Sequence, residues 1–294
     1  MQSKTPTVSL VLGSGGARGL AHIGVIEWLN ENGYHIRSIS GSSMGALIGG
    51  IYAAGKLDIY ANWVQALERL DVIRLLDVSF GRSGIFKGEK IINTLKGLIG
   101  DANIEDLPIK FTAVATDLDA GKEVWFDKGP LFDAIRASIA IPTVFTPVKY
   151  HGHTLVDGGL VNPLPIAPTL SDLTDLTIAV SLSGRPEPKK HADKPPPPPS
   201  TRRNKYHQTI VDFIDELQQK WVKKEPDDLG FVNVVSQSID TMQSMIARFK
   251  LASYSPDVII MIPKNASGFF EFERASELIE IGRRRADQAF NQSI

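Results

Sequence analysis

The chain has 294 residues, 43% of them apolar, and a formal net charge of −1. That length buries a substantial core, and the near-neutral charge excludes the concentrated basic surface that nucleic acid requires. The absence of cysteine removes a disulfide framework, a thiolate metal site and a cysteine nucleophile together, so that oxygen and nitrogen groups must carry any chemistry.

Met1 to Thr7 is polar and lacks the basic segment and apolar run of a secretory signal, so the mature chain is expected to start here. Val8 to Leu12 reads as a strand, Gly13 to Gly19 as a glycine loop, and Leu20 to Asn30 as a helix with Ala21, Ile23, Val25, Ile26 and Leu29 at helical spacing. Gly33 closes that helix. A second strand through Ile36 and Ile39 then runs into Ser40-Gly41-Ser42-Ser43-Met44-Gly45, followed by the small-residue helical run Ala46 to Ala54. Two successive βα units bring both loops to one edge of a parallel sheet, because such crossovers share one hand.

Asp58 to about Leu70 is predicted helical, Ser79 to Gly88 a loop, and Glu89 to Ile99 an amphipathic helix. Lys110 to Asp117 is a buried strand, with a hairpin at Ala120-Gly121-Lys122 and a return through Phe126; Pro130 opens a helix through Ser138. Val144 to Tyr150 and Thr154 to Val156 read as strands around His151-Gly152-His153, the second ending in Asp157-Gly158-Gly159. After a buried strand at Thr177 to Leu182, the stretch Arg185 to Lys205 holds Pro195 to Pro199 consecutively among Lys189, Lys190, Lys194, Arg202, Arg203 and Lys205, which neither helix nor sheet accommodates. Helices at Tyr206 to Lys224 and Val232 to Leu251, a strand at Asp257 to Ile262 and a helix from Glu273 to about Phe290 complete the chain. No run approaches the roughly 20 apolar residues of a membrane-spanning helix. The expectation is a cytoplasmic protein.

The order of elements predicts a single α/β domain over residues 1–294, three layers α/β/α around a mainly parallel sheet, with an insertion at about 185–224. In Gly41-Ser42-Ser43-Met44-Gly45 the glycines meet the steric demand of a nucleophile elbow, where the chain turns from strand into helix. The loop Gly13 to Gly19 has two readings. As a dinucleotide site it fails the strict glycine spacing in either register, and the second strand ends in serines rather than an acid. Beside Ser43 it becomes an oxyanion hole, its N–H groups free of intervening side chains. A base is then required. His191 and His207 lie in or beside the proline-rich stretch, His22 reads as a packed helix residue, and His151 and His153 sit at a hairpin tip. Asp157, at a strand end with two glycines after it, can take the serine proton directly.

Together Gly15-Gly16-Ala17-Arg18-Gly19, Gly41-Ser42-Ser43-Met44-Gly45 and Asp157-Gly158-Gly159, with Arg136-Ala137-Ser138-Ile139-Ala140-Ile141-Pro142 between them, resemble the patatin-like phospholipase family. Within it the likeness is greatest to bacterial proteins related to neuropathy target esterase. It covers about residues 7 to 183, and more loosely Val258 to Pro263 and Phe272 to Arg284. The resemblance implies a lipid acyl hydrolase with a Ser–Asp dyad: Ser43 the nucleophile, Asp157 the base, the N–H groups of Gly15 and Gly16 the oxyanion donors, and Arg18 the motif's basic residue. It implies a lipid or lysolipid substrate and neither metal nor cofactor. Ser14 stands where many members have a further glycine, which leaves open whether its N–H also donates. The alternative is a lipid-binding or regulatory scaffold of the same fold. The 185–224 insertion reads as a solvated linker, or else as a basic flap making peripheral membrane contact through anionic headgroups. Phe269, Phe270 and Phe272 are expected in the core, the alternative being an interfacial anchor. Nothing in the sequence specifies an oligomer.

Overall fold

Thr7–Leu12 (β1) is buried at every residue after the first, and a strand with no polar face needs cover on both sides. A computed structural model, which describes residues 5–77, 84–188 and 231–291, supplies that cover. The strands that follow are His35–Ser42 (β2), Gly84–Phe86 (β3), Lys110–Asp117 (β4), Lys122–Phe126 (β5), Thr143–Phe145 (β6), Val148–Tyr150 (β7), His153–Asp157 (β8), Leu176–Gly184 (β9) and Val258–Pro263 (β10). The helices are Ala21–Glu31 (α1), Met44–Ala53 (α2), Leu57–Gln65 (α3), Arg69–Arg74 (α4), Glu89–Ile99 (α5), Leu131–Ser138 (α6), Phe231–Tyr254 (α7) and Ala275–Asn291 (α8).

Eight strands form one sheet in the order β10-β9-β1-β2-β4-β8-β7, with β5 also paired to β4. The five from β10 to β4 are parallel, whereas β5 and β8 run antiparallel to β4, and β7 to β8. Leu10 and Leu12 of β1 enter the larger core with Ile39, Ile48 and Phe111. Val11, on the other face, packs with Leu164, Ile166, Ala179 and Ala247 of α7. Two apolar layers on opposite faces of one strand are the signature of a three-layer α/β/α protein. Helix α2 is buried at every residue but Tyr52, as a helix apolar all round must be.

The chain forms two compact units, Met1–Pro186 with Gln243–Ile294, and Glu187–Met242. Of the second, the described part is residues 187–188 and the helical stretch from Phe231 to Met242. The predicted Tyr206 to Lys224 helix and residues 189–205 lie outside the described residues.

Three local readings change. The predicted 58–70 helix is two helices, because Asp71 turns its carboxylate back to the Glu68 N–H (3.1 Å) and so caps a new start. The predicted strand from Val144 to Tyr150 breaks at Pro147, which has no N–H for the ladder. Its first part, β6, pairs instead with β3, inside the stretch read as loop.

Candidate active site

Strand β2 ends at Ser42 and α2 begins at Met44, so Ser43 makes the whole turn alone, at φ 56° and ψ −122°. A non-glycine residue in this region carries strain on the order of 1–3 kcal/mol and persists only where its surroundings hold it. The surroundings are tight. A Cβ on Gly45 would lie 2.0 Å from the carbonyl oxygen of Leu12, so only glycine lets α2 start this close to β1. The Ser43 N–H donates to Ser138 Oγ (2.9 Å), whose hydroxyl donates on to the Val114 carbonyl (2.6 Å). The Ser43 carbonyl accepts from the N–H groups of Ala46 (2.9 Å) and Leu47 (3.1 Å).

Asp157 closes β8, and its N–H donates to the Ala140 carbonyl at 2.9 Å. The Thr116 hydroxyl donates to its carbonyl (2.9 Å), and Oδ1 accepts from the Gly159 N–H (2.7 Å). Residues 138–140, at the end of α6, therefore hold both Ser43 and Asp157. The carboxyl group is 3% exposed, and burial pushes its pKa from 3.8 up to about 7, against the pull of the Ser43 hydroxyl and the Gly159 N–H. Oδ2 is buried with no hydrogen bond of good geometry, so the Ser43 hydroxyl stands near enough to be felt without a closed bond. Contacts of this kind are commonly loose before substrate arrives.

The glycine loop divides its N–H groups in two. Those of Gly13, Ser14 and Ala17 are taken up by the carbonyls of Val180 (3.0 Å), Pro163 (2.9 Å) and Phe269 (2.9 Å). Those of Gly15 and Gly16 have no partner among the described residues. The Ser14 N–H is thus already engaged within the chain. Gly16 adopts φ 56°, and a Cβ there would lie 2.7 Å from the Phe269 ring. Arg18, 9% exposed, donates from Nε to the Gly15 carbonyl (3.2 Å) and from Nη1 to the Lys264 carbonyl (2.9 Å). Because C=O and N–H of one trans peptide point opposite ways, holding the Gly15 carbonyl turns the Gly16 N–H away from the guanidinium. Arg18 orients the loop.

The histidines fall elsewhere. His22 is fully buried with Nε2 2.9 Å from the Gly13 carbonyl, and burial lowers its pKa to about 4. It is a neutral prop of the loop. His151 and His153 are exposed, the latter 2.9 Å from Asp117 Oδ2, where Asp119 joins them at the hairpin. His191 and His207 lie outside the described residues.

A cavity, about 830 Å³ with its open mouth included, is lined by Ser43 and Gly16. Leu47 of α2, Tyr60 and Val64 of α3, and Leu95 of α5 also line it. Phe269, Phe270 and Phe272, expected in the core, line it as well, and Phe269 is 37% exposed. Each of these helices has an apolar face legible in its residue spacing, but nothing in that spacing marks that four segments would meet at one serine. No helix among the described residues is long and apolar enough to cross a membrane.

A strained serine at a strand-to-helix turn of a mainly parallel sheet, opening on an apolar cavity, marks the class of α/β proteins built around a nucleophile elbow. The profile of the patatin-like phospholipase family matches residues 10–170, and the chain belongs to that family. An NTE family protein of Mycobacterium tuberculosis (strain ATCC 25618 / H37Rv) is 41% identical over 98% of this chain and 92% of its own length. The patatin-like phospholipase domain-containing protein ZK370.4 of Caenorhabditis elegans is 36% identical over 54% of this chain and 12% of its own. Neuropathy target esterase sws of Drosophila persimilis is 33% identical over the same shares. Membership of this family supports lipid hydrolase activity in general.

Proposed function

We propose that the protein is a serine lipid acyl hydrolase that cleaves a carboxylic ester of a phospholipid or lysophospholipid through an acyl-serine intermediate, with peripheral contact to the lipid surface. Asp157 takes the proton from Ser43 Oγ as that oxygen attacks the ester carbonyl carbon. The N–H groups of Gly15 and Gly16, with the start of α2, stabilise the negative charge that forms on the carbonyl oxygen. As the tetrahedral intermediate collapses, the bond to the alcohol breaks and Asp157 returns the proton to the leaving oxygen. Water then loses a proton to Asp157, attacks the acyl-serine, and the fatty acid leaves as Ser43 regains its hydrogen.

The observation that carries this reading is a buried carboxyl group titrating near neutrality beside a serine in a strained turn. A base with pKa near the working pH combines adequate ionisation with adequate strength. The apolar cavity at Ser43 supports an acyl rather than a sugar or peptide substrate. Labelling with a fluorophosphonate tests it. The wild type is expected to take the probe at Ser43 and to hydrolyse a nitrophenyl butyrate and a phospholipid. Absence of both would leave the lipid-binding scaffold as the better reading.

A further inference from the structure

Ala247, Leu251 and Tyr254 of α7 pack on the sheet with Val11, Leu164, Ile166 and Ala179. Gln243, half-buried and four residues before Ala247, heads the same stripe. An apolar side chain would continue that stripe, whereas an inward amide has to be satisfied. What it meets is the base. A Cβ built on Gly159 would lie 2.6 Å from Ser14 Oγ and 2.9 Å from both Asp157 Oδ1 and Gln243 Nε2, so side chains from the glycine loop, the end of β8 and α7 converge on one point. Ser14 Oγ is buried and makes no hydrogen bond among the described residues. A buried hydroxyl calls for a partner, and the acceptor at this point is the carboxyl oxygen that the Gly159 N–H already holds. The apolar cavity does not include this niche, since Ser14, Asp157 and Gln243 are not among its lining residues.

No charged side chain is among the influences on the Asp157 carboxyl group, which are burial, the Ser43 hydroxyl and the Gly159 N–H. His22 of α1 is turned to the Gly13 carbonyl, Arg18 to the Gly15 and Lys264 carbonyls, and Glu123 of β5 accepts from Asn162. Neutral donors are what the niche offers an anion. We propose that Gln243 and Ser14 form a third member behind the Ser43–Asp157 pair: the Gln243 N–H and the Ser14 O–H donate to Asp157 Oδ1, directly or through one shared water, which fixes the carboxylate's orientation and favours the ionised form that can accept the Ser43 proton. Both are positioning residues, acting through Asp157. This inference rests on the reading of Asp157 as the base and adds the groups that keep it ready.

The test measures kcat/KM for nitrophenyl butyrate from pH 5 to pH 9 in the full chain, with melting temperatures reporting that each variant folds. Removing a donor that favours the charged form raises the pH at which the carboxyl group ionises. In Gln243→Leu and in Ser14→Ala the midpoint of the profile is therefore expected to rise by roughly half to one pH unit, lowering activity at pH 6 about threefold to tenfold and activity at pH 9 far less. Gln243→Glu keeps the shape, loses the amide donor and adds a like charge, so its midpoint should rise further. A loss equal at every pH in these variants would make the two residues mere packing and overturn the inference. Unmoved midpoints, or a wild-type profile without one in this range, would also overturn it, and in protein whose Ser43 takes a fluorophosphonate would overturn it alone. No labelling and no hydrolysis would overturn the hydrolase reading and this inference with it.

Discussion

Asp157 can take a proton from Ser43 only while it is ionised, and its burial holds it protonated to an unusually high pH. With a pKa of about 7 rather than 3.8, kcat/KM for a soluble ester is expected to rise tenfold per pH unit below about 7 and to level above it. A profile already flat at pH 5 would place the base elsewhere. Ser43→Ala should abolish hydrolysis and leave the fold intact, because it deletes one oxygen at a turn rather than a core contact. Asp157→Asn should cost as much: the amide keeps the shape but cannot accept the proton, and residues acting as a unit lose nearly everything together. Exposed His151 and His153 are the controls, and alanine at either should retain activity. Loss of turnover in His153→Ala comparable with that in Asp157→Asn would bring a histidine into the mechanism.

At the scale of elements, the separation of Ser43 from Asp157 is set by a third piece of chain, the end of α6. Ser138 accepts the Ser43 N–H and bonds the Val114 carbonyl of β4, while Ala140, two residues on, accepts the Asp157 N–H. Ser138→Ala leaves a buried donor and a buried acceptor unpaired, each worth about 1–3 kcal/mol. The elbow should loosen, slowing fluorophosphonate labelling by roughly tenfold to a hundredfold. Wild-type labelling in the folded variant would remove Ser138 from this positioning role. Here the sequence and the structure part company for a physical reason. The parallel strands, the turn at Ser43 and the strand ending at Asp157 were legible, because small residues, β-branched runs and glycines leave local marks. The Ser138 tie crosses 95 residues of chain, and a lone serine on a helix carries no mark of its partner. Arg18 was legible as a motif residue, but its hold on the Gly15 carbonyl was not. Likewise the pairing of β3 with β6 joins two three-residue strands too short to show a pattern.

For the molecule as a whole, the raised pKa of Asp157 is also a statement about stability. Unfolded, this aspartate titrates near 3.8; folded, near 7. Between those values the native state holds a proton that the unfolded chain has lost, so its contribution to stability is full below about pH 4, declines as pH rises, and is gone above about 7. The difference of about three pH units corresponds to roughly 4 kcal/mol at most, a large share of the 5–15 kcal/mol typical of a native protein. Asp157→Asn does not titrate and escapes this decline. Its melting temperature is therefore expected to match the wild type near pH 4 and to exceed it increasingly toward pH 8, in the same variant that is expected to lose activity. Thermal or urea unfolding of both proteins across that range measures the gap. A gap that stays constant with pH would mean that the folded carboxyl group titrates normally, and with it would go the argument that burial, more than any partner, readies Asp157 to act as a base near neutral pH.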